Sequence, residues 1–216
     1  MRVIVFGATG GTGQATLHAL VAGGHHVTAF ARDPGVLASI AGITVVQGDV
    51  MRQSDVSGAA PGHDAAIVTL GNSQNPFAMM VGAKRTTPAD VCEVGTRHII
   101  AAMAASGIAR LVVVTAFGIG ETRSRLPLTF KIFYRLVLRE HMADKERQEA
   151  LIRKSGLDWT IVQPVGLIDG AATGRWFADD TGRIRRQQIR RADVAAFLLN
   201  LMSGDESLRE TVSLSG

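Results

Sequence analysis

An apolar run, Arg2-Val3-Ile4-Val5-Phe6, passes without a spacer into Gly7-Ala8-Thr9-Gly10-Gly11-Thr12-Gly13, and no other feature of the chain narrows its fold so far. A strand that enters a turn with glycine at every third position is set up to leave it as a helix lying close to the strand. The residues that follow agree. Gln14 to Ala22 carries Leu17, Leu20 and Val21 on one side and stops at Gly23-Gly24, and a second strand, Val27-Thr28-Ala29-Phe30, completes a β-α-β unit. The spacing is G-x-x-G-x-x-G rather than G-x-G-x-x-G. Such a turn brings bare backbone and the unpaired N–H groups of a helix start to one point, as a dinucleotide pyrophosphate requires. A glycine-rich turn that binds nothing is the competing reading, and the complete strand-turn-helix context stands against it.

Strand-like and helix-like segments alternate along the rest of the chain. This predicts one α/β domain over residues 1–216, a Rossmann-type doubly wound parallel sheet with helices on both faces. Further strands are expected at 43–47, 65–70, 111–116 and 159–163, continuous apolar runs that suit strands covered on both sides, with a short last one at 212–214. A helix is expected over 88–106, with Thr87 as its cap, Pro88 in its first position, Asp90 at its positive end and Gly107 closing it. Residues 127–155 read as one helix, or as two with a break near His141; 192–202 is the last helix. The connections at about 71–86, 117–140 and 166–191 are assigned to the substrate side, since long loops at the carboxyl ends of strands are where open α/β sheets bind ligands.

At 216 residues the chain stays under the roughly 250 at which single cores divide. Its 46% apolar and 19% charged content is that of a soluble globular protein, and no apolar run approaches the ~20 residues of a membrane span. One cysteine, Cys92, excludes an intrachain disulfide, suits a reducing cytoplasm, and reads as a small buried hydrophobe on a helix. A strand starting at residue 2 leaves no room for a signal peptide ahead of the fold, so a cytoplasmic location is expected.

Cofactor choice rests on the end of the second strand. An acidic residue there holds the ribose hydroxyls of NAD; here the sequence is Ala31-Arg32-Asp33-Pro34, and Arg32 stands where a 2′-phosphate would lie. A guanidinium presents a planar fork of donors to phosphate oxygens, worth about 1.5–3 kcal/mol, or a roughly ten- to hundredfold preference for NADP(H) over NAD(H). Asp33 is placed either to neutralise Arg32 or to bind a ribose itself. Gly48-Asp49-Val50 brings a carboxylate toward the adenine amino group, and Leu70-Gly71-Asn72 lines the adenosine ribose and pyrophosphate.

GATGGTG at 7–13, ARDP at 31–34, GDV at 48–50, VVTAF at 113–117 and RKSGL at 153–157 with the strand running to Gln163-Pro164 together resemble the short-chain dehydrogenase/reductase superfamily. The resemblance is to its atypical, NAD(P)H-binding branch, and within it to the biliverdin IXβ reductase or NADPH-dependent flavin reductase family; it extends over nearly the whole chain. The chain also resembles the nitrogen-regulator-like members of that branch, some of which sense nucleotides. The resemblance implies that Gly7, Thr9, Gly10, Gly11, Thr12 and Gly13 hold the pyrophosphate, Arg32 the 2′-phosphate, and Asp49 and Val50 the adenine. Thr115 lies near the nicotinamide, and Pro164 and Val165 close over its carboxamide. The reductases carry serine where this chain has Thr115, and histidine where it has Lys145 and Gly166, so their acceptor pocket does not transfer.

The superfamily's usual proton donor is a tyrosine with a lysine four residues on. The only tyrosine, Tyr134, is followed at that spacing by Leu138, whereas His141 precedes Lys145 by four. On a helix these two share a face, within reach of the nicotinamide ribose; alternatively Lys145 pairs with Glu149 on a solvated face. Thr115, Lys145 and His141 are therefore the candidate catalytic residues. Without the tyrosine, the expected reaction is hydride transfer to a flavin, quinone or other conjugated small molecule that takes its proton from water. A non-catalytic NADP(H)-sensing regulator is the alternative, and a sugar-type epimerase or dehydratase a third. Residues 126–139, with Lys131, Arg135 and Arg139 at helical spacing, read first as core packing beneath a solvated basic face, or else as an acceptor wall, a subunit interface or a membrane surface. Six arginines between Arg175 and Arg191 favour anionic ligands or are simply solvated. No nucleic-acid motif accompanies them and no metal site is assigned; the chain is read as a monomer or a homodimer.

Overall fold

The structure, a computed structural model, describes residues 1–72, 84, 86–126, 137–204 and 207–216. The first half runs β1 (Arg2–Phe6), α1 (Gly11–Ala22), β2 (His26–Ala31), β3 (Ile43–Gln47), α2 (Gln53–Ala59) and β4 (Ala65–Val68). The second comprises α3 (Val91–Ser106), β5 (Arg110–Val114), α4 (Arg139–Arg153), β6 (Asp158–Pro164), three short strands β7 (Gly166–Ile168), β8 (Phe177–Asp179) and β9 (Gln188–Arg190), then α5 (Arg191–Met202) and β10 (Glu210–Ser215). The main sheet has the order β3-β2-β1-β4-β5-β6-β10-β8. Every pair in it is parallel except β10 with β8, and β7 and β9 form a separate parallel pair. This is the doubly wound Rossmann arrangement, with one antiparallel edge strand that the sequence did not announce.

Each strand serves two cores because successive side chains point to opposite faces. From β1, Val3 and Val5 join Leu17 and Leu20 of α1 and Val194, Leu198 and Leu201 of α5. Ile4 and Phe6 face the other way, into Val56 of α2, Ile99 and Met103 of α3 and Ile152 of α4. The same division recurs in β5, where Val112 and Val114 pack on the first side and Leu111 and Val113 on the second. Fully apolar runs are thus the direct consequence of a sheet buried on both faces.

Several boundaries differ from the sequence reading. The 88–106 helix begins at Val91, with Asp90 in the capping position and no side-chain cap of its own; Thr87 lies ahead of it. The cap arrives from elsewhere. Asp144 of α4, 2% exposed, accepts hydrogen bonds from the N–H groups of Cys92 and Glu93, both at 2.9 Å. A carboxylate at a helix's positive end satisfies orphan donors and complements the dipole, whichever element supplies it. Gly107 closes α3 in the left-handed conformation (φ 70°), as expected.

Helix α4 starts at Arg139, close to the break considered near His141. Lys131, Tyr134, Arg135 and most of the 71–86 connection lie outside the described residues. The 166–191 connection is not an unstructured loop, since it carries β7, β8 and β9. There Asp179 accepts from Thr181 N and Oγ1 and from the backbone and guanidinium of Arg183, which holds its carboxyl well below the usual range. Cys92 is buried as expected, and that burial pushes its thiol up to about 12. No helix among the described residues is long and apolar enough to cross a membrane.

Asp144→Ala strips α3 of its cap and leaves two N–H groups, one buried and one half-buried, without that partner. The expected loss is about 2–4 kcal/mol, read as a lower urea midpoint at unchanged slope.

Candidate functional site

The strand order reverses between β1 and β4, and there the carboxyl edge of the sheet opens, because the chains leaving the two strands depart to opposite faces. A crevice of about 340 Å³ lies at that point. Gly7, Thr9, Gly10 and Gly11 line it after β1, Arg32 after β2, Asp49 and Val50 after β3, and Leu70 and Gly71 after β4. Thr12 and Gly13 belong to the first turn of α1 beside it.

The glycines divide by cause. Gly7 has φ 82°, and a Cβ there would lie 2.7 Å from the backbone of Thr69; one on Gly13 would lie 2.3 Å from the carbonyl of Gly7. These two are fixed by backbone-on-backbone packing. Gly10 is extended, with φ −73°, and its Cβ would meet nothing nearer than 3.6 Å; at Gly71 there is nothing within 4 Å. Among the described residues nothing requires those two positions to be bare, and both are left open toward the crevice that they line. In addition, α1 has no side-chain cap and no acidic residue in its first turn. Among the described residues nothing accepts from its leading amides, those of Gly11 and Thr12 first, and the helix dipole favours an anion there. The residues present fit the diphosphate of a dinucleotide.

Arg32 is exposed at the lip of the crevice, and among the described residues no ion pair joins it to Asp33. The Asp33 carboxylate instead accepts from Gly35 N at 3.0 Å, capping a short 3-10 turn at Pro34–Leu37. Asp49 uses one carboxylate oxygen to take the Met51 N–H at 3.0 Å, and its own N–H donates to Asp55.

On the far side of the crevice, Lys145 sits on α4 with its ammonium donating to the carbonyls of Leu70 (3.1 Å) and Val114 (3.3 Å), at the ends of β4 and β5. Two of its three protons are thereby used. Thr115 is 5% exposed and donates its hydroxyl proton to Glu149 at 2.6 Å, so what it turns outward are lone pairs. Glu149 is fully buried, takes further hydrogen bonds from Gln163 (2.8 Å) and Arg153 (3.0 Å), and makes no pair with Lys145. The solvated Lys145–Glu149 pair considered from sequence is therefore not formed, because Glu149 faces the sheet. His141 is half-buried in the first turn of α4, four residues before Lys145. Pro164 ends β6, and buried Val165 donates its N–H to Leu214 O. Asn72 follows Gly71, half-buried. Thr115, Lys145, Asn72, Pro164 and Val165 thus share the carboxyl edge with the crevice without lining it.

The sequence reading did not single out Thr69, and it named Arg191 only as part of a basic segment, without its place in the fold. Thr69 clamps the turn, its hydroxyl 3.2 Å from Phe6 O and 3.1 Å from Gly7 O. Arg191 lies against the phosphate loop, its Cδ and Nε 3.0 and 3.1 Å from where a Gly11 Cβ would stand. A second groove, of about 1020 Å³, opens at Gly166 just past β6 and is bordered by Arg175, Trp176, Phe177, Arg185 and Arg186. Arg185 stacks there over Phe177, 4.4 Å from the ring centre.

The chain belongs to the NAD(P)H-binding family, whose model matches residues 7–205. It is 27% identical over 227 residues to YhfK of Bacillus subtilis, described as an uncharacterized sugar epimerase, with 98% of this chain and 99% of that protein covered. Among solved structures it resembles ChuY, an anaerobillin reductase from Escherichia coli O157:H7, at 27% identity and a TM-score of 0.80, over 100% of this chain and 97% of that one. The oxidoreductase ylbE from Lactococcus lactis superposes with a TM-score of 0.81 at 20% identity, over 100% of this chain and 91% of its own. The fold is that of NAD(P)H-binding oxidoreductases.

The two kinds of glycine separate experimentally. Gly10→Ala leaves the unfolding free energy within about 0.5 kcal/mol of wild type yet weakens dinucleotide binding, whereas Gly13→Ala costs about 3 kcal/mol of stability as well. Urea unfolding and calorimetric titration of both variants check this.

Proposed function

We propose that the protein is an NADPH-dependent reductase that passes hydride to a flavin, quinone or other conjugated small molecule. The observation that carries the cofactor choice is Arg32, exposed at the crevice lip while the neighbouring acid is occupied with Gly35 N. A guanidinium there takes the 2′-phosphate, the first-turn amides of α1 take the diphosphate, and Asp49 with Val50 borders the adenine. With the adenosine half on the β1–β3 side and Leu70, Gly71 and Asn72 along its ribose and the diphosphate, the nicotinamide half falls toward β5 and β6, where Thr115, Lys145, Pro164 and Val165 stand. Bound there, the reduced nicotinamide supplies hydride.

The protein's own contribution is then chiefly to position. Lys145, anchored on two carbonyls, keeps one N–H for the ribose. Thr115, with its proton given to Glu149, accepts a hydrogen bond from the carboxamide rather than donating one to the acceptor. His141, the remaining titratable group at the tyrosine spacing, is the candidate acid. With Thr115 and Lys145 so committed among the described residues, acceptors that collect their proton from solvent are favoured, and the likeness to an anaerobillin reductase supports that class over the epimerase chemistry suggested by YhfK's description.

Oxidation of NADPH by the purified protein, followed by absorbance with FMN, FAD, quinones and enals, is expected to exceed background with at least one acceptor. Tight NADPH binding with no turnover of any acceptor would favour the nucleotide-sensing reading instead. Arg32→Ala is expected to weaken NADPH binding roughly ten- to hundredfold and to spare NADH; an equal loss for both cofactors removes Arg32 from its assigned role.

A further inference from the structure

Helices α1 and α5 lie side by side and run the same way, since Gly11 meets Arg191 at one end and Gly23 meets Leu199 at the other. Both helix starts therefore face the carboxyl edge of the sheet, and two positive dipole ends sit together beside the phosphate loop. Arg191, the first residue of α5, adds a full positive charge to them. On its own helix a cation in that position is unfavourable. The acid in the first turn of α5 does not compensate it, because Asp193 is taken up by the N–H and hydroxyl of Thr173 and the N–H of Gly174. The ion-pair partner of Arg191 is Asp169, just past β7, 2.7 Å from its guanidinium. Asp169 is 89% exposed and Arg191 28%. A pair with so exposed an acid is held weakly, by at most about a fivefold factor in its equilibrium constant. Like charges have thus been gathered at one point and, among the described residues, the ion pair set against them is to a surface carboxylate, within contact distance of Gly11, which lines the crevice.

We infer that Arg191 is a second cation for the cofactor's diphosphate: it exchanges the Asp169 carboxylate for a phosphate oxygen when the dinucleotide seats on α1. The inference rests on the dinucleotide reading of the crevice and adds to it a residue from the far end of the chain, together with an internal anion that competes for it. The exchange involves no covalent step. A carboxylate and a diphosphate oxygen accept the same N–H fork, and the diphosphate also meets the amides of α1, which Asp169 does not touch. Because the diphosphate is common to both nicotinamide coenzymes, Arg191 acts on affinity without acting on the choice between them. This separates it from Arg32.

Calorimetric titration of the full chain with NADPH and with NADH tests the exchange. Arg191→Gln is expected to raise both dissociation constants by the same factor, on the order of tenfold. Asp169→Asn is expected to lower both by about two- to fivefold, by removing the competing anion. A gain of affinity cannot come from a misfolded variant, so the second substitution guards the first. If wild type binds the coenzymes and Arg191→Gln leaves both constants unchanged, or weakens only one, Arg191 is not a diphosphate ligand, and the reading of the crevice survives. If Asp169→Asn fails to tighten either, the exchange is refuted. Wild type that binds neither coenzyme overturns the crevice reading and this inference with it.

Discussion

Everything at the carboxyl edge depends on how closely the backbone leaving β1 approaches its neighbours. The carbonyl of Gly7 lies where a side chain on Gly13 would have to be, and the backbone of Thr69 lies where one on Gly7 would have to be. The Thr69 hydroxyl ties the same turn through Phe6 O and Gly7 O. This compression starts α1 directly over the end of the sheet with its first amides uncommitted. It also fixes α1 so that α5 can lie alongside and bring Arg191 to the loop. Had the turn been looser, side chains and water would have met those amides, and the crevice would have lost the feature on which the proposed anion site rests.

The second half of the sheet is organised differently, by one face of α4. Asp144 caps α3, Lys145 ties the ends of β4 and β5, Gln148 bonds Thr96, and Glu149 gathers Thr115, Gln163 and Arg153. A fully buried carboxylate is costly unless it is paired and fully hydrogen-bonded, and Glu149 meets both conditions. The consequence for the proposed chemistry is that Thr115, Lys145 and Glu149, beside the position proposed for the nicotinamide, are committed to holding strands and to orienting one another. Catalysis by alignment of donor and acceptor suits such a site better than catalysis by a strong internal acid.

How much of this was legible from residues alone varied with sequence distance. The β-α-β start, the six consecutive parallel strands and the crevice residues from Gly7 to Gly71 each carry local marks: apolar runs, glycines, a strand-end arginine. The cap of α3 was misread as Thr87 because a local polar residue was available, and nothing in the sequence marks Asp144, about fifty positions on, as its true cap. The solvated Lys145–Glu149 pair was misread for a related reason. Helical spacing shows that the two residues can share a face, but not which face the helix turns to the sheet. The three short strands within 166–191 were missed because three-residue elements carry no periodicity.

By itself, the sequence determined the class of fold and the place of the phosphate loop, since a strand, a glycine turn and an amphipathic helix are specified within some twenty residues by backbone sterics and hydrophobic pattern. It also put an arginine at the end of β2, at the lip of the crevice, where the proposed function has it meet a cofactor phosphate. Only the tertiary structure decided which polar side chains are committed inward and which face the crevice. It gave the Thr115 proton to Glu149, and it set Arg191 against Gly11. The reason is physical: a hydrogen bond or ion pair between residues far apart in sequence exists only once the packed core has fixed their separation, and no local pattern encodes that distance.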